Sequence, residues 1–227
     1  MKYFHLITSF LIFVGSVSAQ TNFHKYSTGV SVGNTLVFGD SESQRTAIGY
    51  NAVLDYYFTP YTNLGFEFQV GQLRGGSPPV IEPHPAYGPF TNNYGLISFN
   101  GKIQLGQFLN DSQLDNFVLR KIRGLYVGSG LAAIKSTTSF EVANGKFVAY
   151  EIALPLSVGI NINLQRKWQE YSTFVLNVNY QTMVSFEDGL DGFIDTTANT
   201  NDVYTFFSVG LRFNFGTIGL YNSKRRM

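Results

Sequence analysis

From residue 151 onward the apolar positions fall on every second residue. Ile152, Leu154, Leu156, Val158, Ile160, Ile162 and Leu164 alternate with Glu151, Ala153, Pro155, Ser157, Gly159, Asn161 and Asn163. Successive side chains of an extended chain point to opposite faces, so period two predicts a strand. This stretch exceeds the usual strand of about 5–6 residues and matches the ~9–11 that cross hydrocarbon at a tilt. The pattern recurs in residues 174–184, 203–215, 48–58 and 64–70, with weaker copies at 27–38, 94–107 and 125–134. Eight strands result, an even number suited to an up-and-down barrel. Pro155 is the anomaly, because a ladder needs every donor, and a bulge there is expected to accommodate it.

Alternation leaves open which face meets water. A soluble lipocalin-like barrel would turn its apolar face inward and carry Lys, Glu and Thr outside. Here the polar face is mostly Gly, Ser, Asn, Gln and Ala, which fit the narrow interior of eight strands, and the other face carries large Leu, Ile, Val, Phe and Tyr. The expected fold is therefore all-β: an eight-stranded antiparallel up-and-down transmembrane β-barrel. No run of 18 apolar residues offers a helical span.

Charged residues make up 14% of the 227, against roughly 25% in ordinary soluble domains, and aromatic residues 16%. The missing charge is what an apolar outer wall requires. Cysteine is absent, which excludes disulfides, thiolate metal sites and a cysteine nucleophile. A formal net charge of +1 lacks the basic footprint of a nucleic-acid partner. Lys2, the apolar residues from Leu6 to Val14 and Val17-Ser18-Ala19 read as an export signal, with cleavage expected after Ala19. The expected organisation is a signal peptide at 1–19, the barrel at 20–215 and a short basic periplasmic tail at 216–227, the whole placed in the outer membrane.

With a periplasmic N-terminus, external loops fall at residues 39–45, 74–93, 136–146 and 185–201, and internal turns at 59–61, 108–123 and 165–172. The spacing of Leu109, Leu114, Phe117, Val118 and Ile122 in the long internal turn predicts an amphipathic helical turn or two against the barrel mouth. Tyr56, Tyr57, Phe58, Tyr61, Trp168, Tyr171, Phe213 and Phe215 cluster where this topology puts the inner interface. Acidic residues gather in the external loops. Arg120, Lys121, Arg123, Arg166, Lys167, Lys224, Arg225 and Arg226 form a basic periplasmic rim.

Asp55, Glu67, Lys102, Glu151 and Arg212 remain for the lumen. Buried charges are costly unless paired, so Lys102 and Arg212 are expected to bridge the three carboxylates in a structural network. The loop Glu187-Asp188-Gly189-Leu190-Asp191-Gly192-Phe193-Ile194-Asp195 is acidic but departs from the EF-hand spacing, and is read as solvated. His84 in Pro83-His84-Pro85 is the sole candidate general base, and no Gly-x-Ser-x-Gly or His-Glu-x-x-His motif accompanies it. No catalytic residue, metal site or cofactor is assigned.

The pattern of strands over residues 26–215 resembles the small eight-stranded outer-membrane barrels of Gram-negative bacteria: the OmpA membrane domain, OmpX and the PorT-like proteins. The segment Phe206-Phe207-Ser208-Val209-Gly210-Leu211-Arg212-Phe213-Asn214-Phe215 looks like their terminal strand. That strand normally ends the chain, whereas residues 216–227 follow here, so either Phe215 is the recognised end or pairing continues toward Tyr221. The resemblance implies a structural or interaction barrel in contact with outer-membrane lipids, with periplasmic or outer-membrane protein partners, and allows a subunit of a larger export or assembly complex. The alternatives are a narrow pore or small-molecule binding barrel and, behind these, a lipid A-modifying enzyme.

Overall fold

The computed structural model describes residues 20–38, 44–75, 90–110, 113, 116–140, 146–164, 173–186 and 202–222. The export signal, His84, the acidic loop, and Arg166, Lys167, Lys224, Arg225 and Arg226 of the basic rim lie outside them.

Among the described residues nine strands form one antiparallel sheet: β1(Gln20–Phe38), β2(Gln44–Arg45), β3(Ala47–Thr59), β4(Thr62–Gly75), β5(Phe90–Gln104), β6(Leu125–Phe140), β7(Lys146–Asn163), β8(Phe174–Ser185) and β9(Val203–Asn222). Pairing runs β2-β4-β3-β1-β9-β8-β7-β6-β5, and a further β4–β5 pairing closes the ring. β2 is a two-residue addition opposite Arg74 and Gly75, so eight long strands make the barrel wall. A short helix, α1(Phe117–Ile122), and a 3-10 turn at Leu105–Gln107 occupy the β5–β6 connection. The end carrying Gln20, Asn222 and the Pro60-Tyr61 turn is called the terminal end, and the opposite one the loop end.

The two faces separate as the alternation demands. Ile48, Tyr50, Leu54, Phe66, Phe68, Val70, Ile97, Phe99, Leu131, Ile152, Val158, Phe207, Val209 and Leu211 are exposed on the outside. Ser27, Asn51, Asp55, Glu67, Gln69, Asn100, Ser157, Asn179, Gln181 and Arg212 are buried inside. On the outside, Phe58, Tyr56, Tyr26, Phe215, Phe213 and Phe174 run in a row across β3, β1, β9 and β8, neighbouring rings being 5.1 to 6.0 Å apart. Tyr57, grouped by sequence with that aromatic cluster, instead points inward and is buried.

Three features depart from expectation. Pro155 causes no bulge: Ser129 pairs with Leu156 and Ala132 with Ala153 in one unbroken register, and the β6–β7 ladder is simply open at the two intervening positions. The gap falls where proline has no N–H to give. Second, β9 does not stop at Phe215. It pairs with β1 as far as Asn222 opposite Gln20, which moves the end of the barrel beyond 215. Opposite Lys25, β9 carries both Gly216 and Thr217, and this bulge reverses the inward parity so that Gly219 is buried. Gly216 has φ +84, a left-handed conformation that glycine adopts without steric cost. Third, α1 forms but buries no residue fully: Leu119 and Ile122 are half-buried, and Phe117, Val118, Arg120 and Lys121 are exposed. Beside it Gln107 ties the rim together: its carboxamide accepts from Thr59 Oγ1 at 2.7 Å and donates to Tyr221 Oη at 3.2 Å.

Candidate functional site

The lumen holds all five charges that the sequence assigns to it, as two ion pairs and a separate acid. Arg212 on β9 and Asp55 on β3 are separated by β1, and their pairing needs a path across that strand. Gly29 supplies it: it pairs with Arg212, and a Cβ there would lie 2.7 Å from Arg212 Cγ. The guanidinium passes over the bare backbone and donates to Asp55 Oδ2 at 2.5 Å, both side chains being buried. Lys102 on β5 stands next to the strand of Glu67, β4, and needs no such crossing; it lies on the other side of the barrel. Its stem lies over Gly128 of β6, where a Cβ would lie 2.7 Å from Lys102 Cγ, and its ammonium lies 3.9 Å from Glu67 Oε2 and 5.8 Å from the Tyr126 ring centroid. Glu67 also accepts from Asn51 Nδ2 at 2.9 Å and Asn100 Nδ2 at 3.2 Å. Such bonds on a paired carboxylate are what make a buried charge tolerable.

Glu151 is not part of this network. It lies toward the loop end and accepts from Ser185 Oγ, while Ser185 N–H donates to the Asp202 carbonyl at 2.9 Å. The expected bridge from two cations to three carboxylates is thus two separate ion pairs plus a distant third acid. The physical reason is reach: Glu151 pairs with Ile134, in the apolar half of the lumen, beyond either cation. Asp202, just before β9, is buried here as well.

Sequence reasoning missed what fills that half. Val37, Leu73, Phe90, Tyr94, Leu96, Ala132, Ile134, Ala153, Met183 and Tyr204 form one buried cluster at the loop end. Tyr94 and Tyr204 meet with ring centroids 5.2 Å apart, and Tyr204 Oη donates to Gln69 Oε1 at 3.4 Å. The signal was present as Met183, Tyr204 and Phe206, bulky residues standing in polar positions of otherwise regular alternations. Toward the terminal end the interior is polar: Tyr126 Oη donates to Asn179 at 2.8 Å and accepts from Asn177 at 3.0 Å, and Asn177 reaches Asn161 at 2.8 Å. Below this, Asn22, His24, Tyr57, Gln104, Arg123 and Asn161 line part of a half-open cavity of ≈ 130 Å³ at the terminal mouth.

Of the basic rim, Arg120 and Lys121 are exposed on α1, while Arg123 turns to the terminal cavity. Among the described residues no group of three or more His, Asp or Glu is placed to hold a metal ion.

No family model and no curated protein matches the chain. Solved structures do. Neisserial surface protein A (NspA) superposes with a TM-score of 0.53 at 10% identity, covering 84% of this chain and 97% of the other. Ail, the attachment invasion locus protein of Yersinia pestis, gives 0.47 at 14% identity, covering 85% and 99%. The fold is therefore the small eight-stranded antiparallel barrel of outer-membrane proteins such as NspA.

Proposed function

We propose that this chain is an integral outer-membrane barrel with a closed lumen, acting as a structural or interaction scaffold in a Gram-negative cell envelope. The observation that carries this reading is the contrast between its two faces. The outer wall is a continuous belt of exposed Leu, Ile, Val and Phe, bordered at the terminal end by the aromatic row from Phe58 to Phe174. In water such an area would aggregate, whereas in a bilayer it is the required solvent match, with rings at the headgroup level. The strands run 12 to 20 residues, longer than the ~9–11 a bilayer requires. The extra length lies toward the loop end in β4, β6 and β7, where Arg74, Lys135 and Lys146 replace apolar residues on the outside, and toward the terminal end in β1 and β9. The terminal end faces the periplasm in this reading.

The interior supports a scaffold over a pore. A layer of packed tyrosine, phenylalanine, leucine and methionine crosses the lumen, and ion-paired side chains fill the section below it. Membership of a larger export or assembly complex is the finer form of the proposal. Purification of the native protein from detergent-solubilised outer membranes tests it: a stoichiometric partner is expected, and an isolated barrel with steady conductance would favour the pore instead.

A further inference from the structure

The β5–β6 connector leaves large apolar side chains in the open at the terminal end: Phe108 is 71% exposed, Phe117 64% and Val118 61%. They neither cover the mouth nor pack on the wall. Arg120 and Lys121 are exposed on the same short helix, and Lys121 Nζ lies 5.6 Å from the Phe117 ring centroid, so cation and ring share one level. The connector's root is fixed, because Gly106 N–H donates to the Arg123 carbonyl at 2.8 Å, one step beyond the β5–β6 ladder. Just above that root the outer wall has a depression. Leu64, Gly101, Ser129 and Leu156 form one register row on the outward face, two small residues between two leucines. With Thr62, Ile103 and Val127, the first three of these help frame a groove of ≈ 520 Å³.

We propose that this connector and groove together seat an anionic phospholipid of the inner leaflet. An acyl chain fills the depression over Gly101 and Ser129, Phe117 and Val118 sit at the boundary between headgroup and hydrocarbon, and Arg120 and Lys121 meet the phosphate. The choice of a lipid over a protein follows from continuity: Ile103, Leu125 and Val127, at the connector's base, already belong to the exposed apolar belt. Rings at the interface and cations at the phosphate level are the arrangement that binds anionic bilayers. The inference rests on the outer-membrane reading, and its test separates the two.

The chain has a single tryptophan, Trp168. A Trp168→Phe, Phe117→Trp variant in nanodiscs of phosphatidylcholine and phosphatidylglycerol is expected to show blue-shifted emission, quenched by lipids brominated near the top of the acyl chain. A Trp168→Phe, Leu131→Trp variant reports on the wall and should be quenched by deep bromines. Quenching at position 131 but not at 117 overturns the lipid site and leaves the membrane reading intact; quenching at neither overturns both. Native mass spectrometry then reads selectivity, with several-fold retention of phosphatidylglycerol over phosphatidylcholine expected. Arg120→Gln with Lys121→Gln should bring that ratio to parity, and Gly101→Leu should cut total lipid retained. Equal retention of both lipids by the unmodified protein overturns the anionic preference.

Discussion

Asp55 and Arg212 depend on each other and on a residue that carries no side chain. Removing one partner of a buried pair strands the other charge, so Asp55→Asn is expected to lower stability by about 3–5 kcal/mol. Urea unfolding of the barrel in lipid vesicles measures this, and the double variant Asp55→Leu, Arg212→Met should recover most of the loss. Gly29→Val acts on the same pair without touching either charge. Its side chain would occupy the path of Arg212 and press on the Leu211 carbonyl, 2.9 Å from a Cβ. It should destabilise the barrel in the same assay, whereas valine at Gly95, where a Cβ meets nothing within 4 Å, should be tolerated. A Gly95→Val loss equal to that of Gly29→Val would refute the account. Inward glycines of this kind are visible in the sequence, but nothing there says which cation crosses them, because that follows from strand register.

Among the elements, β9 shows how far backbone pairing outruns side-chain pattern. The period-two apolar signal exists only where one face meets hydrocarbon, so it fades at the ends of strands that continue into water. β6 and β7 extend past residues 134 and 151 through Thr137, Ser139 and Lys146, and β1 begins at Gln20 instead of 27, all without apolar alternation. β9 hides its last seven residues further, since the bulge at Gly216 reverses parity in mid-strand. Gly216→Val forces a branched side chain into φ +84 and should cost about 1–2 kcal/mol. Amide exchange in detergent is the direct measurement: faster exchange confined to residues 217–222 and their β1 partners is expected, and unchanged protection there would mean that the bulge needs no glycine.

For the whole molecule, the outward and inward faces should respond oppositely to the same chemistry. Leu131→Arg places a cation on the lipid-facing wall and is expected to reduce folding stability in vesicles by about 2–4 kcal/mol. If Leu131→Arg folds as well as the parent in vesicles, the belt does not face lipid. In the proposed scaffold the cluster around Tyr94, Tyr204 and Met183 closes the lumen, so planar-bilayer recordings should show no steady conductance. Tyr204→Ala combined with Met183→Ala removes the centre of that layer and should produce small, frequent openings; a silent variant would mean that the ion-paired section alone suffices to seal the barrel.

The class of fold was legible in the chain because its cause is local. An extended backbone puts alternate side chains on opposite faces, and a wall between lipid and a narrow interior leaves Ile152 or Phe207 one side and Ser157 or Ser208 the other. The charges belonging to the lumen were legible for the same reason. Their partners were not. Glu151 is equivalent to Glu67 in sequence, yet ring closure brings only Glu67 within reach of Lys102, while Glu151 sits by Ser185. Only the tertiary structure decided which inward residues fill the lumen, how far β9 continues and which residues of α1 stay exposed. Each depends on the register and curvature of strands far apart in sequence, which no residue carries alone.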